Sequence, residues 1–205
     1  MSNIIVIMAG GLGKRMESNI PKVLHKIYNK PMLVHVIETS MKMKPIKIGI
    51  IVGKYREEIE STIKSYISDI SKITFINQEI PKGTGHAIQC CIPFLSNYKN
   101  DNCIILSGDT PLIHFSTLEN MVDKLGLAMI LCTKKNNPYG YGRIILEENK
   151  CKKIVEEKDA DTEQKKITLV NGGIYAFKIT TILKYLPLIS NNNAQKEYYL
   201  TEIFE

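Results

Sequence analysis

Four apolar runs punctuate the first half of the chain: residues 4–8 (IIVIM), 48–52 (IGIIV), 73–77 (ITFIN) and 103–107 (CIILS). Their Ile/Val-rich character predicts strands buried on both faces of a parallel sheet. Between them, apolar residues recur at helical spacing. Leu33, Val34, Ile37 and Met41 form one such set, with Pro31 placed for a first turn; Ile59, Ile63 and Ile67 form a second; Leu118, Met121, Val122 and Leu125 form a third. Strand alternating with helix predicts right-handed βαβ crossovers and an α/β, Rossmann-like, doubly wound sheet.

After about residue 126 the texture changes. Residues 128–133, 143–146, 152–156 and 169–177 read as strands with fewer helices between them, which makes the sheet mixed although mostly parallel. The charged segment 157–167 (EKDADTEQKKI) reads as a solvated excursion. No internal repeat, low-complexity tract or interdomain linker interrupts the chain. It is expected to be a single domain over 1–205, whose second half adds a mixed sheet or lobe.

In open α/β sheets, ligands bind beyond the carboxyl ends of the strands. Three polar motifs follow such ends: AGGLGKR after the first strand, NQEIPKGTGHA after the third and SGDTP after the fourth. They are expected to converge on one site. A P-loop would need Ser or Thr after Gly13-Lys14, where Arg15 stands, and a glycine at the position of Met8. A dinucleotide fingerprint would need a glycine at Met16. What remains is a glycine loop whose N–H groups face an anion, or a tight turn with solvent-facing cations. Arg15 offers a planar fork for phosphate oxygens and Lys22 a point charge. Asp109 ends a strand where a carboxylate suits Mg²⁺, although a turn or helix-capping Asp would look the same. Gly83 and Gly85 mark a helix start suited to close ligand approach and exposed N–H donors, and the Gln78 amide could read a base edge. His86 is expected to be a structural hydrogen-bonder.

The charge narrows the partners little. The net charge of +6 arises from 27 Lys and Arg against 21 Asp and Glu, but the lysines are scattered and only three arginines occur. Without a basic stripe interleaved with aromatics, no nucleic acid partner is expected. No apolar run approaches the roughly 18 residues of a membrane span, so no membrane partner is expected either. Five cysteines without C-x-x-C spacing suggest free thiols in a reducing cytoplasm.

The motifs resemble, in order along the chain, the uridylyltransferase domain of the bacterial bifunctional N-acetylglucosamine-1-phosphate uridylyltransferases, within the sugar-phosphate nucleotidyltransferase superfamily. The resemblance is carried by AGGLGKRM, PKVLH (21–25), GTGHA (83–87), SGDTPLI (107–113) and GYGRI (140–144). It continues through IVEEKDA (154–160), VNGGI (170–174) and NNNAQKEYYLTEI (191–203). It implies a nucleotide-diphospho-sugar transferase fold, with a nucleotide-binding half over 1–110 and a sugar-binding half over 111–205. It also implies that UTP and N-acetylglucosamine 1-phosphate react to give UDP-N-acetylglucosamine and pyrophosphate, with Mg²⁺.

By resemblance, Arg15, Lys22 and Asp109 are catalytic, Asp109 being the metal ligand. Met8, Ala9, Gly10, Gly11, Gln78, Gly83, Thr84, Ser107 and Gly108 would bind nucleotide. Gly142, Glu156, Asn171, Tyr199 and Thr201 would line the sugar site. Two departures stand out. Lys14 replaces the family's usual Thr, and the sequence ends at Glu205, before the Asn that supplies a second metal contact in the family. A β-helix acetyltransferase domain, and with it acetyltransferase activity, is not expected. A non-catalytic UDP-sugar-binding protein, or a nucleotidyltransferase for another sugar 1-phosphate, are the alternative readings.

Overall fold

The computed structural model describes residues 1–205 apart from Leu12, Lys14 and Arg15. The four apolar runs form β1 (Asn3–Met8), β4 (Lys47–Val52), β5 (Ile73–Asn77) and β6 (Asn102–Ser107). They lie parallel, in the order β5-β4-β1-β6. The helices between them are α1 (Met32–Lys42), α2 (Arg56–Tyr66), α3 (Thr84–Gln89) and the short α4 (Ile92–Leu95). Two helix ends differ from the pattern. Pro31 caps α1 with extended ψ instead of entering its first turn, and Ile67 is the residue that ends α2. A small hairpin, β2 (Lys26–Ile27) with β3 (Lys30–Pro31), turns through Tyr28 and Asn29, both at positive φ. Two-residue segments carry no periodicity for sequence reading to detect.

The second half begins with α5 (Phe115–Asp123) and continues through β7 (Ala128–Lys134), β8 (Arg143–Glu147), β9 (Lys150–Val155), β10 (Leu169–Lys178) and α6 (Ile179–Tyr185). A 3₁₀ turn over Leu200–Phe204 ends the chain. The end of β10 pairs antiparallel with β6, its whole length pairs with β7, and Val170 reaches β8. This extends the parallel half into one eight-stranded mixed sheet among the described residues. Segment 157–167 is mostly exposed, as its charge predicts.

Alternation along the central strand divides the core. Ile5 and Ile7 pack with Leu33, Ile37, Ile59, Ile63 and Leu118 on one face. Ile4 and Val6 pack with Ile88, Leu95, Ile182 and Leu200 on the other. Burying each such aliphatic side chain contributes roughly 1.5–3 kcal/mol, which makes β1 the anchor of the sheet. From β1 the chain runs outward through β4 to β5, then returns to β6 on the opposite side of β1. That reversal is a topological switch point, and a crevice opens beyond the strand ends there.

Candidate active site

Met8, Gln78 and Ser107 end or follow three strands at this switch point. They border a cleft of about 510 Å³ that is also lined by Gly10, Gly11, Lys22, Gly83, Thr84 and Asp109. The three motifs therefore converge as their positions predict. Ala9 and Gly108 belong to the backing of the cleft instead. Ala9 is buried and its N–H donates to Ile51 O at 2.9 Å, while the Gly108 N–H donates to Met8 O at 2.9 Å. The first bond ties the start of the glycine loop to β4, and the second ties the SGD turn to the end of β1. Arg15 and Lys14 lie outside the described residues.

At one end of the cleft the Ser107 hydroxyl donates to Asp109 Oδ1 and the Lys22 ammonium pairs with Oδ2. Burial alone would raise the Asp109 pKa. The hydrogen bonds from Lys22 and Ser107, with the Lys22 charge, outweigh it and hold the carboxyl below its usual value. Asp109 is therefore an anion at neutral pH, beside a cation that is itself partly exposed. Among the described residues no three of His, Cys, Asp and Glu gather to hold a metal. A lone ionised carboxylate suits a cation that keeps water and phosphate oxygens as its other ligands, as Mg²⁺ does, and suits poorly a metal needing a full protein cage.

At the other end Gln78 is 6% exposed. Its Nε2 donates to Gly83 O at 3.3 Å and lies 3.0 Å from His86 Nδ1. Burial, then the Lys82 charge, lowers the His86 pKa, so the ring is neutral and Nδ1 can accept. With both amide protons engaged, Gln78 Oε1 is left as the acceptor, on the side of Gly10; a Cβ there would stand 3.4 Å from it. His86 is thus the structural hydrogen-bonder that the sequence suggests.

The glycines of GTGHA have a reason that local sequence did not show. A Cβ on Gly83 would lie 2.4 Å from Tyr198 O, and one on Gly85 2.9 Å from the same atom. The Gly85 N–H donates to Tyr198 O at 2.7 Å and the Tyr198 N–H to Lys82 O at 2.8 Å. The expectation of N–H donors open to a ligand is corrected at Gly85: its donor is used by the protein. Thr84 Oγ1 likewise accepts the Leu200 N–H at 3.1 Å. The C-terminal segment thus lies along the start of α3, and its Glu197 lines the cleft. Glu197 stands inside the NNNAQKEYYLTEI motif, yet sequence reading passed over it.

The same segment leads to the second group of residues. Thr201 donates to Glu156 Oε1 at 3.1 Å. Gly142 adjoins that carboxylate, since a Cβ on it would lie 3.2 Å from Oε1, and its carbonyl accepts the Asn171 N–H at 2.9 Å. Tyr199 is buried, and its hydroxyl accepts from Gln195 Nε2 at 2.8 Å. Burial pushes its phenol up to about 12, keeping it neutral. Gly142, Glu156, Asn171 and Thr201 are therefore directly linked, and Tyr199 joins them through the chain.

Behind them Arg143 is 1% exposed, with Nη2 2.7 Å from Glu157 Oε2 and Nη1 donating to the Tyr141 carbonyl. The same Glu157 oxygen accepts the Gly140 N–H at 3.0 Å, which fixes the turn before Gly142. Within the GYGRI motif Arg143 carried no signal of burial.

Burial raises the Glu156 pKa, with Asp159 adding to the rise, against lowering by Thr201 and Arg143. A carboxyl raised on folding stabilises the fold below its unfolded pKa, and that contribution is lost as pH rises through the folded value. Glu156→Gln is accordingly expected to raise the thermal midpoint at pH 7–8 and to flatten its fall between pH 4 and 7. Melting curves across that range check it; an unchanged pH profile would contradict the sign.

Residues 4–205 match the family described as Nucleotidyl transferase. A mimivirus (Acanthamoeba polyphaga mimivirus) protein named "Probable UDP-N-acetylglucosamine pyrophosphorylase" is 47% identical over 204 residues, covering 97% of this chain and 79% of its own. "Bifunctional protein GlmU" of Sulfurimonas denitrificans is 41% identical, covering 97% of this chain and 44% of its own. The GlmU of Clostridium botulinum is 40% identical, with 100% and 45% covered. The chain thus spans under half the length of these two bacterial relatives. A solved UDP-glucose pyrophosphorylase complexed with UDP-glucose superposes with a TM-score of 0.76 at 20% identity. That likeness covers 99% of this chain and 85% of the other, and supports the fold.

Proposed function

Because this chain belongs to the nucleotidyl transferase family, we propose that it joins UTP to N-acetylglucosamine 1-phosphate, giving UDP-N-acetylglucosamine and pyrophosphate. The whole-chain similarity to a viral protein named as such a pyrophosphorylase supports the choice of sugar. The observation that carries the reading is the continuity of the two residue groups. A cleft with Lys22 and Asp109 at one end is linked, through Tyr198 to Thr201, to the Gly142–Glu156–Asn171 cluster.

In this reading residues 1–110 hold the nucleotide and residues 111–205 the sugar. Met8 to Gly11 let the base and ribose approach the backbone. The Gln78 Oε1 acceptor matches the N3–H of uracil, whereas cytosine presents an acceptor at N3. A sugar-phosphate oxygen attacks the UTP α-phosphorus in line. The new P–O bond forms as the bond to the β-phosphate bridge oxygen breaks, and pyrophosphate leaves with that electron pair. The nucleophile is already an anion, so no side-chain base is required. Lys22 and Arg15 lower the repulsion between the two anions and stabilise the charge that builds on the leaving group. A divalent cation, Mg²⁺ in this reading, would be held by Asp109 and would neutralise phosphate charge when bound. Glu156 and Asn171 accept and donate to sugar hydroxyl or acetamido groups, beside Gly142, Tyr199 and Thr201. The free thiols suit a cytoplasmic setting. Among the described residues no helix is long and apolar enough to cross a membrane.

Pyrophosphate release from UTP and Mg²⁺ against a panel of sugar 1-phosphates tests the reading. Release with N-acetylglucosamine 1-phosphate well above the glucose, galactose and mannose compounds is expected. Tight binding of UDP-N-acetylglucosamine without any turnover would replace it with a non-catalytic sensor. Arg15→Ala is expected to slow turnover by about a hundredfold, the usual cost of removing one preorganised donor; near-normal kcat would remove Arg15 from the chemistry.

A further inference from the structure

We infer that the Tyr175 hydroxyl is a positioning group for the sugar side of the site, holding the Asn171 amide in the orientation that meets a sugar hydroxyl. This rests on the assignment of Asn171 to sugar binding above.

In an unbroken strand, residues four apart stand about 13 Å apart. Along β10 that spacing is folded up. Asn171 pairs with Cys132 and Tyr175 with Ile130, so four steps on β10 oppose two on β7. The bulge depends on Gly172 and Gly173. A Cβ on Gly172 would lie 2.8 Å from Leu131 O, and Gly173 has φ +72°. The fold-back brings Asn171 Nδ2 to 2.8 Å from the Tyr175 hydroxyl oxygen, and the Gly173 N–H to 2.8 Å from Asn171 Oδ1.

An Asn amide carries two N–H donors and two acceptor lone pairs. Here one donor is spent on Tyr175 and one lone pair on Gly173. What remains is one N–H and one lone pair, the combination that matches a hydroxyl, which both donates and accepts. The Asn171 side chain is fixed from behind, because Tyr175 is only 4% exposed and its ring clusters with those of Phe177 and Phe204, with centroids 6.2 and 6.1 Å away. Burial pushes the Tyr175 phenol up, and the Glu156 charge adds to the rise, so the hydroxyl stays neutral and able to accept from Asn171. The Gly173 N–H, which can only donate, settles which end of the amide carries the oxygen and so turns the nitrogen toward Tyr175. None of the motif residues by themselves points to Tyr175; only the bulge does.

Tyr175→Phe removes one oxygen and leaves the ring packing in place. The expected result is a rise of about fivefold in KM for N-acetylglucosamine 1-phosphate, in line with the loss of one hydrogen bond. KM for UTP and kcat should stay within about twofold. In an Asn171→Ala background the same change should add nothing, since the group it positions is gone. A second readout needs no turnover. In an amide ¹H–¹⁵N spectrum of the ligand-free protein, the Asn171 side-chain pair should shift, and exchange faster with water, in Tyr175→Phe. Equal changes in both KM values, an undiminished effect in the Asn171→Ala background, or an unmoved Asn171 side-chain signal would each overturn the inference. Absence of turnover with every sugar phosphate in the unsubstituted protein, with the Asn171 signal still responding to Tyr175→Phe, would instead overturn the functional reading and leave the positioning intact.

Discussion

Asp109→Asn is expected to lower kcat by about a thousandfold, at the upper end of what one electrostatic group contributes to a transition state. The substitution keeps the shape of the side chain and removes its charge. In the native protein that charge is secured twice, by the Ser107 hydroxyl on one oxygen and the Lys22 ammonium on the other. An amide can still accept from one of them, so the SGD turn should survive. The Lys22 pair is partly exposed on both sides and contributes little to stability, so the fold should melt within a few degrees of the parent. The loss should therefore appear in turnover. With a neutral side chain the Lys22 end of the cleft loses the carboxylate proposed to hold a divalent cation between the phosphates. Lys22, freed of its partner, would then meet the triphosphate without the cation that shares its load. KM for UTP is expected to rise by less than about tenfold, because the end of the cleft proposed to take the base, built on Gln78 and Gly83, is untouched. Steady-state kinetics at saturating substrates, with Mn²⁺ binding followed by electron paramagnetic resonance, would check both halves. A fall in kcat below about tenfold, or unchanged Mn²⁺ affinity, would remove Asp109 from the metal site.

The sheet and the convergence of its three polar motifs were legible because both depend on local pattern. Buried strands of a parallel sheet are apolar throughout, and the ends of such strands are the one place where AGGLGKR, GTGHA and SGDTP could meet. What stayed hidden was decided by contacts distant in sequence. Gly83 and Gly85 read as room for a ligand, but Tyr198, more than a hundred residues on, is what crowds them. Arg143 stood in the GYGRI motif without a reading of its own, yet it donates to the Tyr141 carbonyl and pairs with Glu157, almost without exposure. Arg143 could be recognised only from its partner: an ion pair is what makes burial of a guanidinium tolerable. Glu197 and Tyr175 were missed for the opposite reason. One lay within a motif read as a block, and the other belonged to a strand whose bulge has no signature beyond two adjacent glycines. For the proposed sugar site the resemblance named the residues, and the structure adds the links among four of them and the turn that Glu157 holds.

Gly83→Ala is expected to cost about 4 kcal/mol of folding stability, the sum of a left-handed backbone strain and an overpacked contact. Gly83 sits at φ +105°, where a side chain is strained whatever the space around it. The space is also absent: the added carbon would meet Tyr198 O at 2.4 Å, Tyr198 N at 2.9 Å and the Glu197 Cβ at 3.0 Å. The first two are backbone atoms and cannot rotate away. Relief requires the C-terminal segment to lift from α3, and that segment carries bonds to both sides of the site. Moving it loosens the Tyr198 bonds to Lys82 and Gly85, and disturbs Thr201 against Glu156. Gly83 O also receives the Gln78 amide, so a shifted Gly83 would release the side chain proposed to read the base. One methyl group should thus weaken UTP and sugar-phosphate binding together, whereas Tyr175→Phe should affect the sugar phosphate alone. Urea unfolding and calorimetric titration of each substrate would separate the two patterns. A stability loss under about 1 kcal/mol, or weakening of UTP binding with sugar-phosphate affinity intact, would mean that the C-terminal segment does not tie the nucleotide cleft to the sugar cluster.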